Sequence, residues 1–331
     1  MMRSLYSGIS GLKNHQTRMD VIGNNIANVN TVGYKTSRVV FQDIFSQTAK
    51  SGTADLYAQD LNNTTITNPA LYRNIGGTNP MQIGLGIQLA TVDVLHTPAP
   101  FQRTDNPFDM MIDGDGFFIL QDENRNYYYT RAGNFYLDDE GYLVSSHGYY
   151  VMAYTYSLDY YNGDPGTPDV ADAIPPGVLV DDGDLGLSET LQKVRLRVPN
   201  EDYDPDDPDM GPEFVDLIGF NVGQDGSISV IIDNIKQTIG FLGIGMFSNP
   251  GGLEKAGNSL YRQSASSGAV VQTMALQDGA GVVKGGGLEM SNVDLATEFT
   301  DMIVTQRGFQ ANSRVITVSD TLLEELVNLK R

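Results

Sequence analysis

The 331-residue chain has no cysteine and no tryptophan. Without cysteine it offers no disulfide, no thiolate metal site and no cysteine nucleophile. The missing tryptophan removes one common interface anchor. Basic residues are scarce: 21 Lys and Arg stand against 41 Asp and Glu, a formal net charge of −20. Such a chain is repelled by duplex nucleic acid and by an anionic membrane surface. No apolar run reaches the ~18 residues that point to a membrane-spanning helix, so no membrane insertion is expected. After Met1-Met2-Arg3 the residues alternate polar and apolar. They lack the continuous run of roughly 7–15 apolar residues of a cleavable secretory signal. The expectation is a cytoplasmic chain, or one that leaves the cell by a route that reads no such signal.

Proline is absent from the first 68 residues, and a helical pattern fills the start of that stretch. Apolar residues fall at Met2, Leu5, Ile9, Leu12, Met19, Ile22, Ile26 and Val29, mostly in steps of three and four. This periodicity predicts a helix of roughly 25 residues, about 40 Å long. Asn28, Asn30 and Gly33 mark its end. The far end mirrors it. Gly285-Gly286-Gly287 reads as a flexible break, and Ser291, Asn292 and Asp294 offer N-caps. Leu295, Phe299, Met302, Ile303, Phe309, Ile316, Leu323, Leu326 and Val327 then repeat in helical steps, with Lys330 and Arg331 in the last turn. This second helix is expected to run about 35 residues. Each stripe needs a partner, and pairing the two as a coiled coil is the simplest arrangement. Two ordinary domain helices remain the alternative. Gly8, Gly11 and Gly23 are expected to allow close helix approach.

Between the helices the pattern is β. Turn pairs recur at Asn106-Pro107, Asp113-Gly114, Asp115-Gly116, Glu140-Gly141, His147-Gly148 and Asp225-Gly226. Strand-like runs lie among them, such as Phe117–Leu120, Tyr127–Thr130 and Ser227–Ile231. No strand–helix alternation appears, which argues against a doubly wound parallel sheet. Residues 155–213 carry 15 acidic and 3 basic residues, a net of −12. With their prolines they read as an outward-facing acidic insertion.

Candidate chemistry is thin. The acidic run 201–209 offers hard oxygen ligands for calcium, but it lacks a calcium loop's spacing and holds two prolines. A solvated acidic loop is the favoured reading. Gly84-Leu85-Gly86 is only a fragment of a dinucleotide fingerprint. His15, His96 and His147 are scattered, with no nucleophile elbow, phosphate loop or zinc pattern beside them. Tyr127–Tyr129 and Tyr149-Tyr150 fit interface or edge-strand positions better than sugar stacking.

Three ordered strings are more specific. Ile22-Gly23-Asn24-Asn25-Ile26-Ala27-Asn28-Val29-Asn30-Thr31-Val32-Gly33-Tyr34-Lys35 resembles the N-terminal signature of the bacterial flagellar rod and hook family. Asn106–Asp109, Gly114–Phe118 and Tyr129–Phe135 resemble that family's central β-domain signature. Leu288–Leu295 and Gln306–Ser313 resemble its C-terminal signature. Within the family, Tyr6–Leu12, Gly76–Gly86 and Glu325–Arg331 resemble hook members more than distal rod members, whereas Met1–Leu5 also suits a rod protein.

The resemblance implies an α + β multidomain chain: paired, coiled-coil-like terminal helices with central, mainly antiparallel β domains. The expected domains are a helical inner-tube domain of 1–32 with 288–331 and an extended arm of 33–74 and 275–287. A central β domain of 75–154 with 216–274 and an acidic outer subdomain of 155–215 complete them. It implies a non-enzymatic, self-assembling helical polymer with no cofactor, no metal and no catalytic residue. The residues expected to carry assembly are Leu5, Ile9, Leu12, Met19, Ile22 and Ile26 with Leu295, Phe299, Met302, Phe309, Ile316 and Leu323. The family-signature residues are Asn25, Asn28, Gly33, Tyr34, Gly116, Phe117, Phe118, Ser291 and Asn292. Implied partners are further copies of the chain, a distal rod protein, a hook cap, a hook–filament junction protein and the flagellar export apparatus. The implied location is extracellular, in the flagellum, after type III export without a cleaved signal. A calcium-dependent surface adhesin built on the acidic insertion is the rival from another class.

Overall fold

A computed structural model describes residues 2–52, 78–155, 191–196, 219–232 and 235–329. The acidic run 201–209 and most of the expected outer subdomain lie outside these residues. Both terminal helices form. Helix α1 spans Met2–Ala27 and helix α2 spans Leu295–Asn328. After α1, Asn28 N–H donates to Asn25 O and Val29 N–H to Ile26 O, which tightens the final turn. Glu298 places a negative charge in the first turn of α2, where the helix dipole favours it.

The chain divides into two compact units. The first comprises residues 1–24, 37–93 and 295–331. Here α1 and α2 run antiparallel, as their contacts show: Ser4 meets Ser319 and Arg18 meets Asp301. Strand Ser37–Asp43 pairs with Ile87–Val94, and Ser46–Lys50 pairs antiparallel with Met81–Gly84.

The second unit comprises residues 25–36 and 94–294. Its main sheet follows the order Gly219–Val222, Ser227–Ile232, Ile235–Leu242, Tyr150–Thr155, Phe117–Gln121, Tyr127–Thr130, Leu260–Arg262 and Glu254–Gly257. Neighbours along this path are antiparallel. Strand Phe117–Gln121 explains where the core sits. Its side chains alternate between faces, and both faces are covered. Phe118 and Leu120 join Met110, Phe135, Leu143, Val151 and Val194 in the larger cluster. Phe117 and Ile119 join Tyr129, Met152, Phe247, Leu253 and Tyr261 in a second.

The glycine run 285–287 differs from its reading as a break. Gly285 ends strand Val282–Gly285, which pairs with Met110–Asp113, and Gly287 opens strand Gly287–Glu289, which pairs with Phe101–Arg103. Only Gly286 lies between them, at a φ of 78°. The three glycines make a bend between two paired strands.

Candidate assembly helices and the buried junction

The seam between α1 and α2 is made of small and polar residues. Gly8 faces Ile316, Gly11 faces Asn312, and Gly308 faces His15. Ser4, Gly8, Gly11, His15 and Arg18 follow steps of four and three, the spacing of a coiled-coil seam. A Cβ at Gly11 would sit 2.6 Å from Asn312 Nδ2, so glycine sets the helix separation there. Gly23 has open space around it and plays no such part, contrary to the expectation. On α2, Thr305 and Ser319 are the buried side chains. Each hydroxyl donates to the carbonyl four residues earlier, which satisfies it inside the seam. Burial lowers the pKa of His15, and the Arg18 charge adds to the effect.

The expected assembly residues flank this seam. Leu5, Leu12, Met19 and Ile26 repeat every seven residues on α1 and are half-buried, as are Met302, Phe309, Ile316 and Leu323 on α2. Ile22 is buried, whereas Ile9, Leu295 and Phe299 are exposed. A further stripe is one of which the sequence analysis picked out only Leu326. Val304, Val315, Val318, Leu322 and Leu326 are all exposed on α2. At 3.6 residues per turn they fall within about 80° of arc.

In the second unit residues 25–35 of the first signature, the central strings and residues 288–294 of the last converge. Gly33 sits at a φ of 65°, a conformation that favours glycine, and its N–H donates to Glu289 O at 2.8 Å. A Cβ there would lie 2.6 Å from Ala132 N. Tyr34 Oη donates to Asn25 Oδ1, and Thr31 Oγ1 donates to Asn28 Oδ1, both at 3.1 Å. Asn292 ties its own segment to two others. Its Oδ1 accepts from Thr36 N–H at 2.8 Å, and its Nδ2 donates to Leu95 O and Thr97 Oγ1. Ser291 Oγ accepts from Val293 N–H just before α2. Gly116, at a φ of 124°, lies against Ile244. It leads into Phe117 and Phe118, one in each core cluster.

At the centre lies an ion cluster that the sequence reading did not select. Lys35 and Glu289 are both fully buried. Lys35 Nζ donates to Glu289 Oε1 and to Thr97 O, each at 2.6 Å. Glu289 Oε1 also accepts from Ala99 N–H at 3.2 Å. Arg131 Nη1 lies 3.7 Å from Glu289 Oε2 and donates to Ile112 O at 3.2 Å. The Arg131 guanidinium stacks 5.1 Å from the Phe117 ring centroid. Burial pulls the Lys35 and Arg131 pKa values down, and the Glu289 carboxylate pulls both back up. His96 packs edge-on against Phe117 and Tyr261. Burial, then the nearby charges of Arg131, Lys35 and Lys255, hold its pKa down at about 4, so it is neutral at pH 7. A signal for the cluster did exist. Lys35 is the one charged residue of the N-terminal string, and Arg131 is the one charged residue of Tyr129–Phe135.

A cavity of about 480 Å³ in the same unit, lined by Phe101, Arg103, Asp105, Pro107 and Phe220, holds none of the expected residues. Among the described residues, no group of three or more His, Asp or Glu is placed to hold a metal ion. No helix among them is long and apolar enough to cross a membrane.

Comparison with known proteins decides what this arrangement belongs to. Residues 5–35 match the flagella basal body rod protein family, residues 111–230 the flagellar hook protein FlgE/F/G D1 domain, and residues 284–329 the flagellar basal body rod FlgEFG protein C-terminal family. The chain is 43% identical over 333 aligned positions to the flagellar basal-body rod protein FlgG of Bacillus subtilis, with both chains fully covered. It is 31% identical over 463 positions to the flagellar hook protein FlgE of Borreliella burgdorferi, again over the whole of both chains. The FlgG of Buchnera aphidicola from Acyrthosiphon pisum is 30% identical, covering 99% of this chain and all of its own.

The chain belongs to the flagellar rod and hook protein family. Its members are structural proteins of the flagellum, which places this chain among the self-assembling components of the basal body and hook that serve motility. The three matched regions carry the three signatures, apart from Asn106–Asp109, which lies just ahead of the middle match. In this flagellar subunit the outer two meet through Lys35 and Glu289, and the middle one supplies Arg131.

Proposed function

We propose that this flagellar subunit builds the hook, a helical tube joining rod to filament as a flexible universal joint. The observation that carries the polymer reading is the exposed stripe of Val304, Val315, Val318, Leu322 and Leu326 on α2. The seam with α1 is already filled by glycine and hydroxyl-bearing residues, so this stripe is left for other copies of the chain. Covering one such Val or Leu is worth roughly 1.5–3 kcal/mol, and a polymer repeats that gain at every subunit. The half-buried heptad sets, from Leu5 to Ile26 on α1 and from Met302 to Leu323 on α2, are half-covered beside the seam and offer further apolar area away from this stripe.

The strings Tyr6–Leu12, Gly76–Gly86 and Glu325–Arg331, with the acidic segment 155–215, favour the hook position. In this reading the chain leaves by the flagellar export apparatus without a cleaved signal and works outside the cell. Its partners are further copies, the distal rod protein, the hook cap and the hook–filament junction protein. The subunit has no catalytic role. The second reading, a distal rod subunit, is favoured by the 43% identity to a protein named for the rod. The alignment to the hook relative adds at least 132 positions absent here, against 2 for the rod relative. Electron microscopy of the purified polymer separates the two. A curved, supercoiled tube supports the hook, and a straight rigid one sinks it. Cells lacking the gene should retain a rod that ends bare where the hook begins.

A further inference from the structure

The Lys35–Arg131–Glu289 cluster gathers every segment through which the chain enters or leaves its unit. Residues 25–36, 94–99 and 287–294 carry those passages, and each bonds to the Glu289 residue or lies one hydrogen bond from it. The rest of the unit has its own core. Phe118, Leu120, Leu143, Val151 and Ile228 are fully buried in a cluster that contains none of these segments. The cluster also holds two cations against one carboxylate, all within 2% of full burial. Arg131 Nε and Glu289 Oε2 are buried without a hydrogen-bond partner. Such a set is costly to bury and is tolerated only while Glu289 is in place.

We propose that Lys35, Arg131 and Glu289 form an ionic clasp that pins these three segments to the β unit and opens as one piece, leaving the β core folded. Glu289 is the keystone, because it is the only anion of the set. Lys35 is made early in synthesis and Glu289 late, so the clasp closes only on a nearly complete chain. A chain lacking 289 leaves Lys35 with no carboxylate to enter the unit beside. The clasp acts within a single subunit, so it stands apart from the question of hook or rod.

Amide hydrogen exchange on the full-length monomeric chain tests this. In Glu289→Gln, exchange at Gly33, Leu95 and Asn292 should speed at least tenfold together, while Phe118, Ile119 and Val151 keep the wild-type rate. The triple variant Lys35→Met/Arg131→Met/Glu289→Met removes all three charges and should return the three reporter amides to within threefold of wild type. Three results would overturn the clasp: unchanged exchange in Glu289→Gln, core amides that speed equally with the reporters, or a triple variant as open as the single one. The triple variant also guards against a trivial failure, since misfolding from lost packing alone would appear in both.

Discussion

Lys35 and Glu289 are 254 residues apart in sequence, and their side chains meet at 2.6 Å with no exposed surface on either. The pair is unequal in its consequences. Removing Glu289 leaves the Lys35 and Arg131 charges buried together, whereas removing Lys35 leaves Arg131 and Glu289 as a neutral pair. Glu289→Gln should lower the cost of local opening by about 3–5 kcal/mol, and Lys35→Met by clearly less. Trypsin reads this ranking. Cleavage after Arg131 should be fastest in Glu289→Gln, intermediate in Lys35→Met and slowest in the wild type. Equal rates in the two variants would mean that the extra cation does not matter.

The exposed stripe on α2 gives a second prediction. Val318→Asp or Leu322→Asp should block polymerisation, because each puts a charge where neighbouring copies would close over it. Both side chains are about half exposed in the single subunit and belong to the helical unit, so the melting transition of the β unit should stay within about 0.5 kcal/mol of wild type. Sedimentation of assembled protein, paired with calorimetry of the monomer, checks both halves. A variant that polymerises at the wild-type critical concentration would remove this stripe from the interface.

Two glycines predict opposite outcomes. Gly23→Ala lies in a helix interior with open space around it, so it should stabilise α1 by up to ~1 kcal/mol. Gly33→Ala forces an L side chain to a φ of 65° and against the backbone of Arg131 and Ala132. It should destabilise by about 1–3 kcal/mol. Urea titrations followed by far-ultraviolet circular dichroism would report both.

His96 sets a pH dependence. Its folded pKa of about 4 lies below its ordinary value of 6.5, so the unfolded chain binds the extra proton between those pH values. The sign follows: its contribution to stability is full above pH 6.5 and is lost as pH falls towards 4. The loss amounts to about 3 kcal/mol once pH drops below the folded value. His96→Asn should flatten this part of the stability curve when urea midpoints are compared at pH 7 and pH 4.5. An unchanged slope would assign the acid sensitivity to other groups.

The helices and many strands were legible because their signals are local. Met2–Ala27 and Leu295–Asn328 follow from apolar steps of three and four, and Phe117–Gln121 follows from its flanking turn pairs. The seam was less legible. Periodicity counts apolar residues, whereas Asn312, Thr305 and Ser319 are polar and their seam depends on how closely two backbones approach. Val315 and Val318 read as part of a general apolar content, and only the placement of α1 shows that they are left outside. The clasp was illegible as a set, because three charged residues drawn from three distant strings have no spacing to read. The structure's contribution is to bring Lys35, Arg131 and Glu289 to one point.

Strand Tyr150–Thr155 pairs with Gln192–Lys193 through Ala153 and Gln192, and Thr155 Oγ1 donates to Gln192 Oε1 at 3.0 Å. Thr155 and Gln192 thus stand side by side in the sheet, like a doorway with both posts fixed. Closing a flexible loop costs only about 0.6 kcal/mol more for each doubling of its length. Whatever is spliced between those posts can grow, shrink or be exchanged while the sheet behind them keeps its register.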